Sequence, residues 1–304
     1  MRIAISGGSG LIGKALASDL VKRGDSVSIL TRKTVSQPGA SVEPGLHWVQ
    51  WDPAQPGTWV QGLEGFDVLV NLAGENLSAG RWSKERKARL ASSRVSSGKT
   101  LVQAVKELAN PPRLLLQSSA IGYYGACSDE ILDENSPAGS GFLADLCQEW
   151  EASTEPVEAM GIRRAVLRTG VVLSRDGGAL PLMALPHTFF AGGPQGSGAQ
   201  WVSWIHIQDA AAAMRFLIDH QAASGVFNLT APQPVTNRSF NLTLAQARRR
   251  ISWLPAPAAA LKLALGEMST VILDGQRVLP RRLEQLGFKF QYATLESALK
   301  DLYR

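Results

Sequence analysis

Three glycines, Gly7, Gly10 and Gly13, stand within the stretch Gly7-Gly8-Ser9-Gly10-Leu11-Ile12-Gly13. At that spacing the first allows a tight turn and the second lets backbone come close to a pyrophosphate. The third lets a helix pack on a strand. Free N–H groups at the helix start, with the positive end of its dipole, would then meet the phosphates. A purely structural glycine turn is the competing account. Strand, loop, helix and second strand follow in the order that dinucleotide binding needs. Gly7, Ser9, Gly10, Leu11, Ile12 and Gly13 are therefore the expected cofactor cradle.

The expected second strand ends in Leu30-Thr31-Arg32-Lys33. A chain preferring NAD usually carries an acid there, about 20 residues past the loop, for the ribose 2′-OH. Asp25 lies before the strand, and Arg32 and Lys33 offer positive charge where a 2′-phosphate would sit. The expected cofactor is NADP, held by Thr31, Arg32 and Lys33.

The flanking pattern supplies the scaffold. Ile3–Ser6, Val27–Leu30, Val68–Leu72, Leu114–Gln117 and Ala165–Arg168 read as strands. Leu11–Arg23, Ser92–Leu108 and Phe142–Met160 read as helices, the last interrupted by Pro156. Strands and helices alternating in this way predict an α/β fold, a Rossmann-type doubly wound parallel sheet with helices on both faces. After about residue 172, glycines and prolines spread and loops lengthen. The expected division is a dinucleotide-binding domain over 1–174 and a smaller substrate-side domain over 175–304. The segment of about 202–228 should pack back on the Rossmann core.

Composition limits the alternatives. The chain has 304 residues, 45% hydrophobic and 19% charged, with a net charge of +5. That charge is too small and too dispersed for a nucleic-acid stripe. Two cysteines, Cys127 and Cys147, support neither a disulfide framework nor a cysteine zinc site, and four scattered histidines support no metal site. No uncharged apolar run approaches the ~18 residues of a membrane span. The expectation is a cytoplasmic protein, monomer or homodimer, with a small-molecule substrate, no metal, no membrane and no nucleic acid.

The glycine loop resembles that of the extended short-chain dehydrogenases/reductases. Asn71-Leu72-Ala73-Gly74 resembles the segment after their fourth strand, and Ser118-Ser119-Ala120-Ile121-Gly122-Tyr123-Tyr124-Gly125 their serine-rich strand end. Trp204-Ile205-His206-Ile207-Gln208-Asp209 resembles a later segment. Over nearly the whole chain, Gly74-Glu75-Asn76, Arg81-Trp82, Ser93-Arg94, Trp150-Glu151, Gln200 to His206 and Gly266-Glu267 resemble a narrower branch. Its members are labelled epimerase-family proteins, some of them cell-division-inhibitor-like. The resemblance implies that Leu72, Ala73 and Gly74 touch the cofactor. It also implies hydride transfer, by an oxidoreductase or epimerase, on a small polar substrate, nucleotide-linked or free.

The usual Tyr-x-x-x-Lys pair of that superfamily falls on Phe142 and Leu146, neither of which moves a proton. No lysine lies between Lys106 and Lys262. Three readings stay open: another acid/base group, a cofactor-binding regulator without turnover, or a partner. The candidate catalytic residues are Ser119, Tyr123 and Tyr124, with Asp145 and Cys147 as weaker substitutes. Ser119 stands where the resemblance puts a serine that bonds a substrate oxygen. The two tyrosines, if extended, point opposite ways. Substrate contacts are expected from Glu75, Arg81, Trp201, Trp204 and His206, with plain core as the rival account of the tryptophans. Asp209 is expected to cap the helix Ala210–Ile218. Arg94, like Arg81, could meet an anionic group, whereas Lys84, Arg86 and Arg89 read as a solvated face.

Overall fold

The computed structural model describes residues 1–34 and 41–304. The central sheet contains β1 (Arg2–Ser6), β2 (Ser26–Thr31), β3 (Ser41–Glu43) and β4 (Leu46–Gln50). It continues with β5 (Val68–Asn71), β6 (Leu114–Ala120), β7 (Arg163–Thr169) and β8 (Gly225–Leu229). Their spatial order is β8-β7-β6-β5-β1-β2-β4-β3. All pairings are parallel except that of β3 with β4. The winding direction reverses between β1 and β5. That leaves a crevice beyond the carboxyl ends of those strands, the usual place for a ligand in an open α/β sheet.

Alternation along the strands explains why both sheet faces are covered. Ile3, Ile5, Val68, Val70, Leu114 and Leu116 belong to one apolar core, while Ala4, Leu69 and Leu115 belong to another. Successive strand residues point to opposite faces, so an all-apolar strand demands a helix on each side. Helix α1 (Leu11–Lys22) covers the first face through Leu16, Ala17 and Leu20, and α2 (Lys84–Glu107) covers the second through Leu101, Val102 and Val105. Burying one such aliphatic side chain is worth ~1.5–3 kcal/mol.

Helix α2 begins at Lys84, eight residues before the expected Ser92, because Ser83 caps it by accepting the N–H of Arg86. Helix α3 (Phe142–Ala152) is shorter than expected. A 3-10 turn over Glu155–Met160 replaces its last part, since Pro156 has no N–H and disfavours a helical Glu155.

The remaining helices are α4 (Ala179–Thr188), α5 (Ile207–Asp219), α6 (Asn237–Ala247), α7 (Ala258–Leu265), α8 (Thr270–Leu273), α9 (Arg281–Gln285) and α10 (Leu295–Leu302). Helix α5 and strand β8 lie in the first core through Ala210, Met214, Leu217, Phe227 and Leu229. Helices α4, α6 and α10 build a separate core with Trp204, Phe240, Leu244 and Leu299. Among the described residues no helix is long and apolar enough to cross a membrane.

Helix α5 starts differently from the sequence expectation. His206, not Asp209, is its cap: Nδ1 of His206 accepts the N–H of Gln208. Asp209 instead accepts the backbone N–H groups of Gln291 and Tyr292, tying the C-terminal segment to α5. Both of its carboxylate oxygens are thus turned to the C-terminal segment and away from the start of α5.

Candidate cofactor and substrate site

The glycine loop lies between β1 and α1. Gly7 has φ +70, and a Cβ there would lie 2.4 Å from the Leu72 carbonyl oxygen, so only glycine fits. A Cβ on Gly13 would lie 2.5 Å from the Gly7 carbonyl oxygen, which is the close helix-to-loop approach expected. Gly10 is the N-cap of α1, and no side chain caps that helix end. The first-turn amides are thus left to a ligand.

The loop opens into a cleft of about 950 Å³. Gly7, Ser9, Gly10, Leu11, Ile12, Gly13, Leu72 and Gly74 line it together. Ala73 packs against the second apolar core. The structure adds residues that sequence reasoning missed: Ser118 from β6, and Asp176, Gly177, Gly178 and Ala179 at the start of α4. That second helix end also lacks a side-chain cap. The clustered Gly177-Gly178 was its one sequence signal.

Arg32 and Lys33 are exposed, just past β2. Ser6 pairs with Leu30, so these residues follow β2 on the level of the glycine loop. The Lys33 N–H donates to Oγ1 of Thr31. Asp25 is occupied elsewhere, accepting from the N-terminal ammonium and pairing with Arg23.

Two buried polar ladders hold the strand ends. Oγ of Ser6 donates to Asn71 at 2.7 Å, and the Asn71 amide donates to Gln117 at 2.9 Å, along paired positions of β1, β5 and β6. The second ladder follows Ser119, Arg168 and Asn228, paired across β6, β7 and β8. Oγ of Ser119 donates to the Glu151 carboxylate at 2.6 Å. Arg168 grips both oxygens of that carboxylate at 2.9 Å. It also donates to the Tyr124 hydroxyl, which in turn donates to Asn228 at 2.7 Å.

This arrangement corrects the catalytic expectation at two residues. Ser119 and Tyr124 are each 2% exposed and line neither cleft, because their hydroxyls are committed to the Glu151–Arg168 pair and Asn228. Burial pushes the Tyr124 phenol up to about 12, with Arg168 only partly opposing it. Tyr123 and Tyr124 are not extended; they share a 3-10 turn over Ile121–Tyr124 with ring centroids 5.3 Å apart. Tyr123 stays half-buried with its ring against the Arg168 guanidinium. Glu151 and Arg168 were missed. A lone arginine inside the apolar strand Ala165–Arg168 was the available signal.

A second cavity, of about 390 Å³, shares Gly170 and Val171 with the first. Phe142 and Leu146, which occupy the Tyr-Lys register, stand in its wall beside Trp82, Leu143 and Trp150. Cys147 is also there; burial raises its thiol to about 11, so it is not a thiolate at neutral pH. Glu267 and Asp274 enter from the C-terminal segment.

Other expected substrate residues lie apart from this wall. Glu75 pairs with Arg86, which is consequently 8% exposed and not part of a solvated face. Arg81 donates to the Leu263 carbonyl of α7. Trp201 donates to Asp129 and stacks with Arg277. Trp204 is fully buried in the C-terminal core, its indole N–H bonded to the Gln233 carbonyl. His206 is fully buried between the α5 start and Asp301, stacked on Tyr292. Trp204 and His206 are thus structural, since neither has a face open to a ligand. Among the described residues no group of three or more His, Cys, Asp or Glu is placed to hold a metal ion.

Comparison with known proteins agrees with this geometry. Residues 3–230 match the model of the NAD dependent epimerase/dehydratase family, and residues 256–302 match a domain of unknown function (DUF1731). The chain is similar to Epimerase family protein YfhF of Bacillus subtilis (strain 168), 39% identical over 99% of this chain and 98% of that protein. It is also similar to the crystal structure of human epimerase family protein SDR39U1 (isoform 2) with NADPH. There the TM-score is 0.87 at 32% identity, covering 100% of this chain and 99% of the human one. The Thermus thermophilus UDP-glucose 4-epimerase complex with NAD shares the fold, with a TM-score of 0.76 at 18% identity, covering 100% of this chain and 99% of that one. With its glycine loop, switch-point crevice and near full-length relatives, the chain belongs to the NAD-dependent epimerase/dehydratase family.

Proposed function

We propose that the chain is an NADP(H)-dependent oxidoreductase that works by hydride transfer on a small molecule. The carrying observation is the uncapped start of α1 behind Gly7 and Gly13, opening into a cleft that joins a second cavity at Gly170 and Val171. The cradle fits a dinucleotide: Gly7 and Gly13 let the turn and the helix pack against backbone that a Cβ would strike, and Gly10, whose Cβ would meet only the Gly7 carbonyl, leaves the approach to a pyrophosphate open. Arg32 and Lys33 would hold the 2′-phosphate, and Leu72, Ala73 and Gly74 would follow the cofactor toward the second cavity. The bound nicotinamide would supply or accept the hydride. Tyr123 is the one candidate phenol with partial exposure; like Ser119 and Tyr124 it lines neither cavity, so proton transfer by it requires its ring to turn from Arg168.

The crowding of Ser119 and Tyr124 favours a second reading, a cofactor-binding regulator without turnover. Titration of NADPH and NADH against wild type and Arg32→Ala tests the first point. NADPH should bind more tightly, and the variant should lose about tenfold of that preference, one charge-assisted contact. Tighter NADH binding would overturn the cofactor assignment. Tight NADPH binding with no turnover in a carbonyl-reduction screen would select the regulator.

A further inference from the structure

The second cavity differs from what a nucleotide-linked substrate needs. At about 390 Å³ it lies at the lower end of the ~300–1,000 Å³ usual for ligand sites. Its wall is built mainly from Leu77, Trp82, Ile121, Phe142, Leu146 and Trp150. A sugar diphosphate brings at least two negative charges and many hydroxyls, and this wall offers them one cation, Arg94.

Arg94 is 7% exposed and lies over the Trp150 ring at 5.0 Å. Its guanidinium donates to two backbone carbonyls, those of Leu90 and Glu75. Among the described residues no carboxylate forms an ion pair with it. Glu75 is turned to Arg86 and Arg89, and Glu151 to Arg168. A guanidinium carries five donors, so two carbonyls leave it under-used. A buried charge without a counter-ion is costly, and buried charges are ordinarily paired. Cys147 beside it remains a neutral thiol. The acids on the wall come from the C-terminal segment. Glu267 is already paired with Lys87, and burial raises the Asp274 carboxyl above its ordinary value.

We propose that this cavity binds a small, largely apolar molecule bearing a single carboxylate, with Arg94 as its anchor. The inference rests on the hydride-transfer reading above and supplies the substrate class for it. The carboxylate gives Arg94 its missing counter-ion, the apolar body fills the space between Trp82, Phe142 and Trp150, and the shared edge at Gly170 and Val171 brings it to the cofactor cleft. The small polar or nucleotide-linked substrate expected from sequence would leave those aromatic walls facing hydroxyls.

Calorimetric titration tests this, with and without NADPH. The probes are benzoate, phenylacetate and cinnamate, their primary amides, and UDP-glucose. At least one carboxylate should bind the wild type about tenfold more tightly than its amide. Arg94→Gln should erase that gap, and Arg94→Lys should keep part of it. Val271→Trp, at an exposed position of the cavity wall, should weaken the carboxylate without disturbing the core. This variant and the wild-type comparison decide the matter if the Arg94 variants do not fold. Equal affinity for acid and amide, no carboxylate binding at millimolar concentration, or tighter binding of UDP-glucose overturns the proposal. So does an Arg94→Gln loss of NADPH affinity as large as the loss of carboxylate affinity, which would give the cation to the cofactor. Carboxylate binding without NADPH binding would keep this inference and sink the cofactor reading.

Discussion

The two joined cavities are built by different means. The cofactor cleft is made mostly of backbone: Gly7, Gly10 and Gly13 clear space, and helix starts at α1 and α4 present amides. The neighbouring cavity is made of side chains drawn from α2, the Ile121–Tyr124 turn, α3 and the C-terminal segment around α8. A backbone site needs a few glycines in a row, and so it is written contiguously. A side-chain site needs bulk from segments far apart, and no short motif records it. The strand ends between them follow a third rule, held by buried polar ladders whose members are paired across strands.

If the ladder is the frame on which both cavities hang, breaking it should hurt stability more than truncating any single side chain in either wall. Glu151→Ala leaves the Arg168 guanidinium, 5% exposed, without its carboxylate. Removing one partner of a buried pair costs ~3–5 kcal/mol. Glu151→Gln should cost less, because it still accepts from Ser119 and Arg168. Urea unfolding of the three proteins measures this. A loss under ~1 kcal/mol for Glu151→Ala would reduce the ladder to an ordinary surface pair.

The glycine loop makes the opposite case, in which binding changes and folding does not. A Cβ on Gly10 meets only the Gly7 carbonyl, at 3.2 Å, whereas one on Gly13 would collide with two backbone groups near 2.5 Å. Gly10→Val should therefore fold, keep its melting temperature within a few degrees, and lose NADPH affinity by about a hundredfold, ~2.7 kcal/mol. Gly13→Val should lose the fold as well. Normal NADPH binding by Gly10→Val would leave the motif merely structural.

This contrast also shows what the sequence could reveal. The parallel sheet was legible because apolar strands and amphipathic helices alternate, and α1 ends where Gly24 (φ +94) stops it. Part of the cleft lining was legible: Gly7, Ser9, Gly10, Leu11, Ile12, Gly13, Leu72 and Gly74 line it, whereas Thr31, Arg32, Lys33 and Ala73 do not. Ser119 and Tyr124 were misread because the serine-rich strand end marks a position in the chain but not the direction of a side chain. Ser118 and Ser119 alternate, and it is Ser118 that lines the cleft while Ser119 turns to Glu151. Trp204 and His206 were misread for a related reason: a motif with aromatic and histidine side chains looks like a pocket until its burial is known. Arg94 was noticed, but its lack of a counter-ion is a fact of packing that spacing does not carry.

His206 gives the smallest effect and separates a structural histidine from a site histidine. Burial lowers its pKa, with Asp301 and Asp209 partly opposing that shift, so the folded ring is neutral. The unfolded chain takes up a proton near pH 6.5, its ordinary value. Below that pH the unfolded state binds the extra proton, and stability must fall as pH drops. Each unit between the folded and unfolded values contributes ~1.4 kcal/mol to this loss. His206→Asn keeps an oxygen to accept the Gln208 N–H, so the α5 cap survives, although the stack on Tyr292 is lost. Melting temperatures at pH 8, 7, 6 and 5, at the same ionic strength throughout so that screening is constant, should fall less steeply for the variant than for wild type, from a lower starting value. NADPH affinity should be alike in both. Parallel slopes would mean that other groups govern acid loss, and a selective drop in NADPH affinity would return His206 to the site from which its burial removes it.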